Sequence, residues 1–250
     1  MAKKEMVKKG STVPAAINFA TDAGKGTETV DKDCLAIPFL SVLQGLSPQI
    51  ETVKGAKAGK LINTITDELF DEAIIIPCSF QRRFLRFVPR EKGGGFKGDY
   101  DPIDIDTGNI DGLNKDENGF LKIDGDDLID TRNHFILLKN KNGSWTQALL
   151  SLSSTQIKKS RRWMSLIKGI EMTDAKGKKF NPPSFSHTYK ITTTKEENDK
   201  GRWHGVLIEL QGVLTDPDAY SKARDFHESV TAGKVEVQQP EQQTQTDDNF

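Results

Sequence analysis

The sequence predicts a mainly β domain with added helices, an α+β fold. Short runs rich in Ile, Leu, Val and Phe recur between Pro, Gly and charged residues, which is strand character. Asn142-Gly143 separates two of these runs, NHFILLK and WTQALLSL, and Asn-Gly is the strongest short-range hairpin signal. Two other segments, from Ile157 and from Pro217, carry helix-start residues and helical spacing instead. At 250 residues, 35% hydrophobic and 28% charged, the chain is long enough for one substantial core with tails. A single domain over 34–232 is therefore expected, between an N-terminal arm (1–33) and an acidic, Gln-rich C-terminal tail (233–250).

Taken in order, residues 1–33 are rich in Lys, Thr, Gly and Ala with no helical or strand period, and read as a mobile arm. CLAIPFLSVLQGLSP predicts a short apolar helix that begins near Pro38 and is stopped by Gly45 and Pro48. AGKLINTIT, DEAIIIPCSF and QRRFLRFVPR predict strands broken by Pro and charged turns. Asp99 to Asp130 then holds 11 Asp or Glu against two Lys, a net of −9, and reads as an acidic loop insertion. No register in it supplies the oxygens, Gly and Glu of a calcium-binding helix-loop-helix, so a solvated loop is expected rather than a metal site.

Charge then reverses. Thr131 to Ile170 contains eight Lys or Arg and no acid. After the hairpin, SSTQ is placed to cap a helix whose apolar stripe is Ile157, Met164 and Ile167, with Ser160 between them. Beyond the Lys-rich loop KGKKFNPPS, the runs SFSHTYKITTT and GRWHGVLIELQGVL predict two more strands. DPDAYSKARDFHESV predicts a last helix with Asp216 as cap and Pro217 at its first position, and the core closes near Val230.

Several function classes are disfavoured. The formal charge is −1, so any polyanion site must come from charges segregated along the chain. The two cysteines, Cys34 and Cys78, form neither a disulfide framework nor a metal spacing, which fits a reducing cytosol. No run approaches 18 apolar residues and the lysine-rich start has no apolar core behind it, so no membrane association is expected. No GxSxG, HExxH or GxxxxGK[ST] motif appears, and the glycine-rich GGGFKGDY from Gly93 reads as a loop. His134, His187, His204 and His227 share no spacing. No catalytic residue, metal or cofactor is assigned, and the chain is expected not to be an enzyme.

Binding features are more numerous. SSTQIKKSRRWMSLIKG sets Lys158, Lys159, Arg161 and Arg162 against Trp163, and like charges this dense add nothing to a helix. As a strand, QRRFLRF places Arg82, Phe84 and Arg86 on one face. The same pairing of cation and aromatic recurs at Tyr189 with Lys190 and at Arg202 with Trp203. That combination suits unpaired nucleic acid. Cations neutralise the backbone, and an aromatic face stacks on a base for about 1–3 kcal/mol.

The tail KVEVQQPEQQTQTDDNF ends in acids followed by Phe250, and resembles the acidic tips of bacterial and bacteriophage single-stranded DNA-binding proteins. IPFLSVLQGLSP, GKLINTIT, FVPREKGGGFKGDY and SLSSTQIKKSRRWMSLI are similar to a group of bacteriophage proteins of that kind. The resemblance implies an OB-like antiparallel barrel that coats single-stranded DNA during phage replication or recombination, in the cytoplasm of an infected bacterial host. It also implies that Asp247, Asp248 and Phe250 dock replication or recombination proteins. The ordered part is larger than such a barrel, so the acidic insertion and the helices would decorate it. Two alternatives stay open: a virion structural or interaction protein touching genome or neighbouring subunits, and a single-strand annealing recombinase. A homo-oligomer is compatible with each.

Overall fold

The computed structural model describes residues 19–30, 36–199, 201–235 and 237. The chain divides into Met1–Leu35 and Ala36–Phe250. In the first unit Phe19–Asp22 forms a 3-10 turn, Lys25 donates to Asp22 at 2.5 Å, and every described residue is exposed. The rest of the expected arm lies outside the described residues, as do Cys34 and the tail residues Asp247, Asp248 and Phe250.

The second unit opens with β1 (Leu40–Val42), a strand where the sequence predicts a helix. A single turn, α1 (Gln49–Thr52), follows; β2 (Leu61–Asn63) pairs back on β1, with Leu40 opposite Asn63, and β3 (Leu69–Phe70) pairs on β2. Phe39, Leu40 and Leu43 are all buried, a spacing that either structure accepts, and long-range pairing decides between them. β4 (Ala73–Phe87) is one strand of 15 residues rather than two. Its Pro77, which has no N–H to give a ladder, sits at a bulge between Pro77 and Ser79 that carries the strand through.

The acidic segment is folded, which corrects the expected loop. It contains β5 (Phe96–Tyr100), α2 (Pro102–Thr107), β6 (Leu113–Lys115) and β7 (Leu121–Ile123). Asp101 caps α2 by accepting from the Ile103 N–H at 3.1 Å. Ile105 and Ile123 join Phe84 and Leu128 in a small core of their own. The predicted hairpin follows as β8 (Asp126–Lys139) and β9 (Trp145–Ser153), its turn closed by Asn142 Oδ1 accepting from Ser144 N at 2.9 Å.

Next come α3 (Ile157–Gly169), the short pair β10 (Met172–Thr173) and β11 (Lys179–Phe180), then β12 (His187–Asn198) and β13 (Gly201–Val213). α4 (Pro217–Thr231) starts as predicted, with Asp216 accepting from the N–H groups of Asp218 and Ala219 at 3.0 and 3.1 Å.

The strands pair antiparallel into a curled half-barrel sheet of order β13-β12-β4-β8-β7-β6, with β5 also on β4 and β9 on β8. The mainly β, α+β expectation holds. The middle of the sheet is covered on both faces. Trp163 and Ile167 of α3, with Leu40, Leu61 and Phe70 of the three-stranded sheet, pack against Ile75, Ile136, Leu150 and Tyr189. Ala219, Ala223, Phe226 and Val230 of α4 pack against Ile76, Phe135, Leu137 and Leu149 on the other face. Burial on both sides explains why these strands read as continuous rather than alternating apolar runs. β13 is left at an edge, and among the described residues no helix is long and apolar enough to cross a membrane.

Candidate nucleic-acid interface

α3 presents positive charge at the surface. Lys158 and Lys159 lie in its first turn, where the helix dipole opposes cations, so their placement does not serve helix stability. Ser160, Trp163 and Ile167 turn inward, and Lys158, Arg161 and Arg162 turn outward, exposed and without an ion pair among the described residues. No side chain caps the helix, contrary to the expectation for SSTQ. Trp163, a candidate stacking surface in sequence, is enclosed: its ring stacks on His134 with centroids 4.5 Å apart and meets Tyr189 edge-on at 5.6 Å. Tyr189 is likewise buried and Lys190 pairs with Glu209 at 3.2 Å, so neither aromatic offers a face to a base.

Trp203 is different. It is half-buried and lines a groove of about 890 Å³ with Leu46, Lys195, Arg202 and His204, between the β12–β13 hairpin and the turn after β1. Its indole N–H donates to Glu196 Oε2 at 2.9 Å. The same carboxylate accepts from Gln156 Nε2 at 3.2 Å and from Lys159 Nζ, tying the start of α3 to the hairpin. Burial alone would raise the Glu196 pKa, and the hydrogen bond and charge of Lys159 outweigh it and hold it below the ordinary value. A second, smaller hollow of about 140 Å³, lined by Lys159, Arg162, Leu166 and Leu207, adjoins the first at Glu196. Gln44 braces the wall by accepting from the N–H and donating to the C=O of His204, both at 2.8 Å. Arg202 pairs with Glu197 at 3.0 Å on an exposed rim.

The arginines of β4 lie elsewhere and are occupied. Asp130 takes Arg82 in two hydrogen bonds of 3.1 and 2.9 Å, while the Arg82 guanidinium lies 4.8 Å from the centre of the Phe84 ring. Phe84 is buried against Ile105 of the acidic segment. Arg86 donates to Asp126 at 2.7 Å and Asp124 at 3.2 Å, and its pKa is raised by its hydrogen bonds to Tyr100 and Asp126. The face that sequence marks as cationic and aromatic is covered by the acids that follow it.

A family model described as Pam3 phage gp34-like protein matches residues 4–236. The chain belongs to the Pam3 phage gp34-like family. It is thus a phage protein, as the resemblance implies, and the family description names no ligand. Nothing among the curated proteins or the solved structures matches the chain. The stretch shared with the Pam3 gp34-like family includes α3, β12 and β13, and so every residue of the groove; Asp247, Asp248 and Phe250 fall outside it.

In this Pam3 gp34-like chain Lys159 and Arg162 of α3 and Arg202 and Trp203 of β13 line the two adjoining hollows, and Lys158 and Arg161 line neither. Arg161 faces Arg132, whose pKa is lowered by burial and by the charges of Arg82 and Arg161, while Phe84 belongs to the small core under the acidic segment. Gln44, Leu46, Gln156, Lys195 and Glu196 were not singled out in sequence. Glu196 and Lys159 are 37 positions apart, and no local pattern links them.

Proposed function

We propose that this phage protein binds single-stranded nucleic acid, single-stranded DNA in replication or recombination being the ligand that fits best. The observation that carries the reading is the cationic face of α3, where Lys158, Arg161 and Arg162 are exposed and Arg162 and Lys159 line the hollow that adjoins the groove of Trp203. Three exposed cations neutralise a phosphate backbone, and a half-buried indole offers a base one face while its edge is fixed by Glu196. The function is binding rather than catalysis, and the curled antiparallel sheet serves as an OB-like platform, although its strand order is its own. Partner docking by Asp247, Asp248 and Phe250 completes the reading.

The test is a titration of labelled single-stranded and duplex oligonucleotides at several salt concentrations. Single strands are expected to bind more tightly and to change Trp emission, with Trp203→Phe removing most of that change. Replacing Lys158, Arg161 and Arg162 together by Ala should lower the slope of log affinity against log salt by roughly 2, at about 0.7 per lost contact. Equal affinity for duplex, or an unchanged slope in a folded variant, would sink the reading. A second reading, an interaction protein of the virion, is favoured by Leu207, Leu210 and Val213, exposed by 42–52% on the sheet edge. Incorporation into virions without nucleic-acid affinity would support it.

A further inference from the structure

We propose that Glu196 is a built-in stand-in for a ligand phosphate: it fills an anion position at the junction of the two hollows and surrenders it when nucleic acid binds. The inference rests on the nucleic-acid reading of the groove. Glu196 is the residue at which the larger hollow, with Trp203, meets the smaller one, with Lys159 and Arg162. A strand of nucleic acid running from the indole toward α3 therefore has to pass it.

The donor set suits an anion that comes and goes. An ammonium from Lys159, an indole N–H from Trp203 and an amide N–H from Gln156, drawn from the start of α3 and from β13, converge on one carboxylate. Two phosphate oxygens satisfy the same three donors. The backbone makes room for the anion. A Cβ at Gly205 would lie 2.5 Å from Glu196 Oε1 and from Lys159 Nζ and 2.7 Å from Gln156 Nε2, so the strand keeps glycine, a poor strand residue, where the cluster rests on it. Gln156 is itself fixed, accepting from the Val206 N–H at 3.0 Å, so its amide stays aimed when the carboxylate leaves.

Exchange costs little in hydrogen bonds, since phosphate replaces carboxylate on the same donors. Glu196 sits where β12 nears its exposed tip, next to Lys195 and Glu197, and its side chain, about a quarter exposed, has solvent to swing into. Tethered to the site, it competes at high local concentration and lowers affinity, which sets the ease of release. It also holds the Trp203 indole in place until a ligand arrives.

A purely structural strut predicts the opposite sign, and that decides the test. Binding of a labelled oligothymidylate is measured over a salt series for wild type, Glu196→Ala, Glu196→Gln and Glu196→Ala with Lys159→Ala. The single variants are expected to bind several-fold tighter, with a salt slope steeper by about 0.7, and the second substitution should cancel both gains. Unchanged or weaker binding by Glu196→Gln overturns the proposal; this variant keeps an acceptor for Trp203 and Gln156 should Glu196→Ala fail to fold. If wild type has no affinity for the oligonucleotide, the nucleic-acid reading has failed, and Trp203 emission titrated with inorganic pyrophosphate becomes decisive. A response in Glu196→Gln that wild type lacks upholds the anion position, and no response overturns it.

Discussion

His134 is a neutral ring held in the core. Its Nε2 is 2.8 Å from Ser160 Oγ, Trp163 stacks on it, and Phe80 lies 5.0 Å away. Burial, with a further push from Arg132, takes its pKa down to about 3. An unfolded histidine binds its proton near 6.5, so below that pH unfolding takes up a proton that the folded ring refuses. Stability from this group is intact above about pH 6.5 and falls as pH drops toward 3, by at most about 1.4 kcal/mol per pH unit. His134→Gln should therefore lose less stability than wild type between pH 7 and pH 5, by about 2 kcal/mol, whatever its stability at pH 7. Urea unfolding at the two pH values measures this, and equal losses would show that another group titrates. The inward turn of Trp163 was half legible in sequence. Residues 160, 163 and 167 share one helical face, but the arginines at 161 and 162 suggested an exposed neighbour.

At the scale of elements, α4 and the β8–β9 hairpin were readable because local chemistry fixes them: an Asp-Pro start in one, an Asn-Gly turn in the other. β1 was not, because its pairing with β2 lies about twenty residues ahead. Nor was the partnership of β4 with the acidic segment, since a run of acids looks the same in sequence whether it is solvated or folded onto arginines. That partnership makes a specific prediction. Arg82→Ala with Arg86→Ala should lower the melting temperature, because Asp126, almost wholly buried, loses a partner. The same pair of changes should leave the salt slope for oligonucleotide binding untouched, unlike substitutions on α3. A slope that falls alongside the melting temperature would return β4 to the interface.

Over the whole molecule, a formal charge of −1 conceals two opposite blocks. Much of the acidic one is consumed by Arg82, Arg83, Arg86, Lys97 and Lys122, while α3 keeps Lys158, Arg161 and Arg162 at the surface and spends Lys159 on Glu196. The acids of the C-terminal tail lie outside the described residues and are tested by truncation. Removing residues 240–250 should tighten oligonucleotide binding modestly at low salt and less at high salt, because competing charge is lost. It should also abolish capture of replication partners, which Phe250→Ala alone should do without altering the salt effect. Unchanged low-salt affinity would show that the tail does not compete for the groove.

The amide of Gln44 takes both backbone groups of His204, and Gln156 takes the N–H of Val206, so two side chains perform on β13 the work of a missing neighbour strand. An edge strand is a template for another chain, and this one has been blunted chemically over the stretch nearest the groove. Among the described residues no side chain covers the backbone of Ile208 or Leu210 in this way, so a chain added along β13 would pair there, beyond His204 and Val206. The two glutamines thus close to strand addition the part of β13 that walls the larger hollow, where an added chain would meet Trp203.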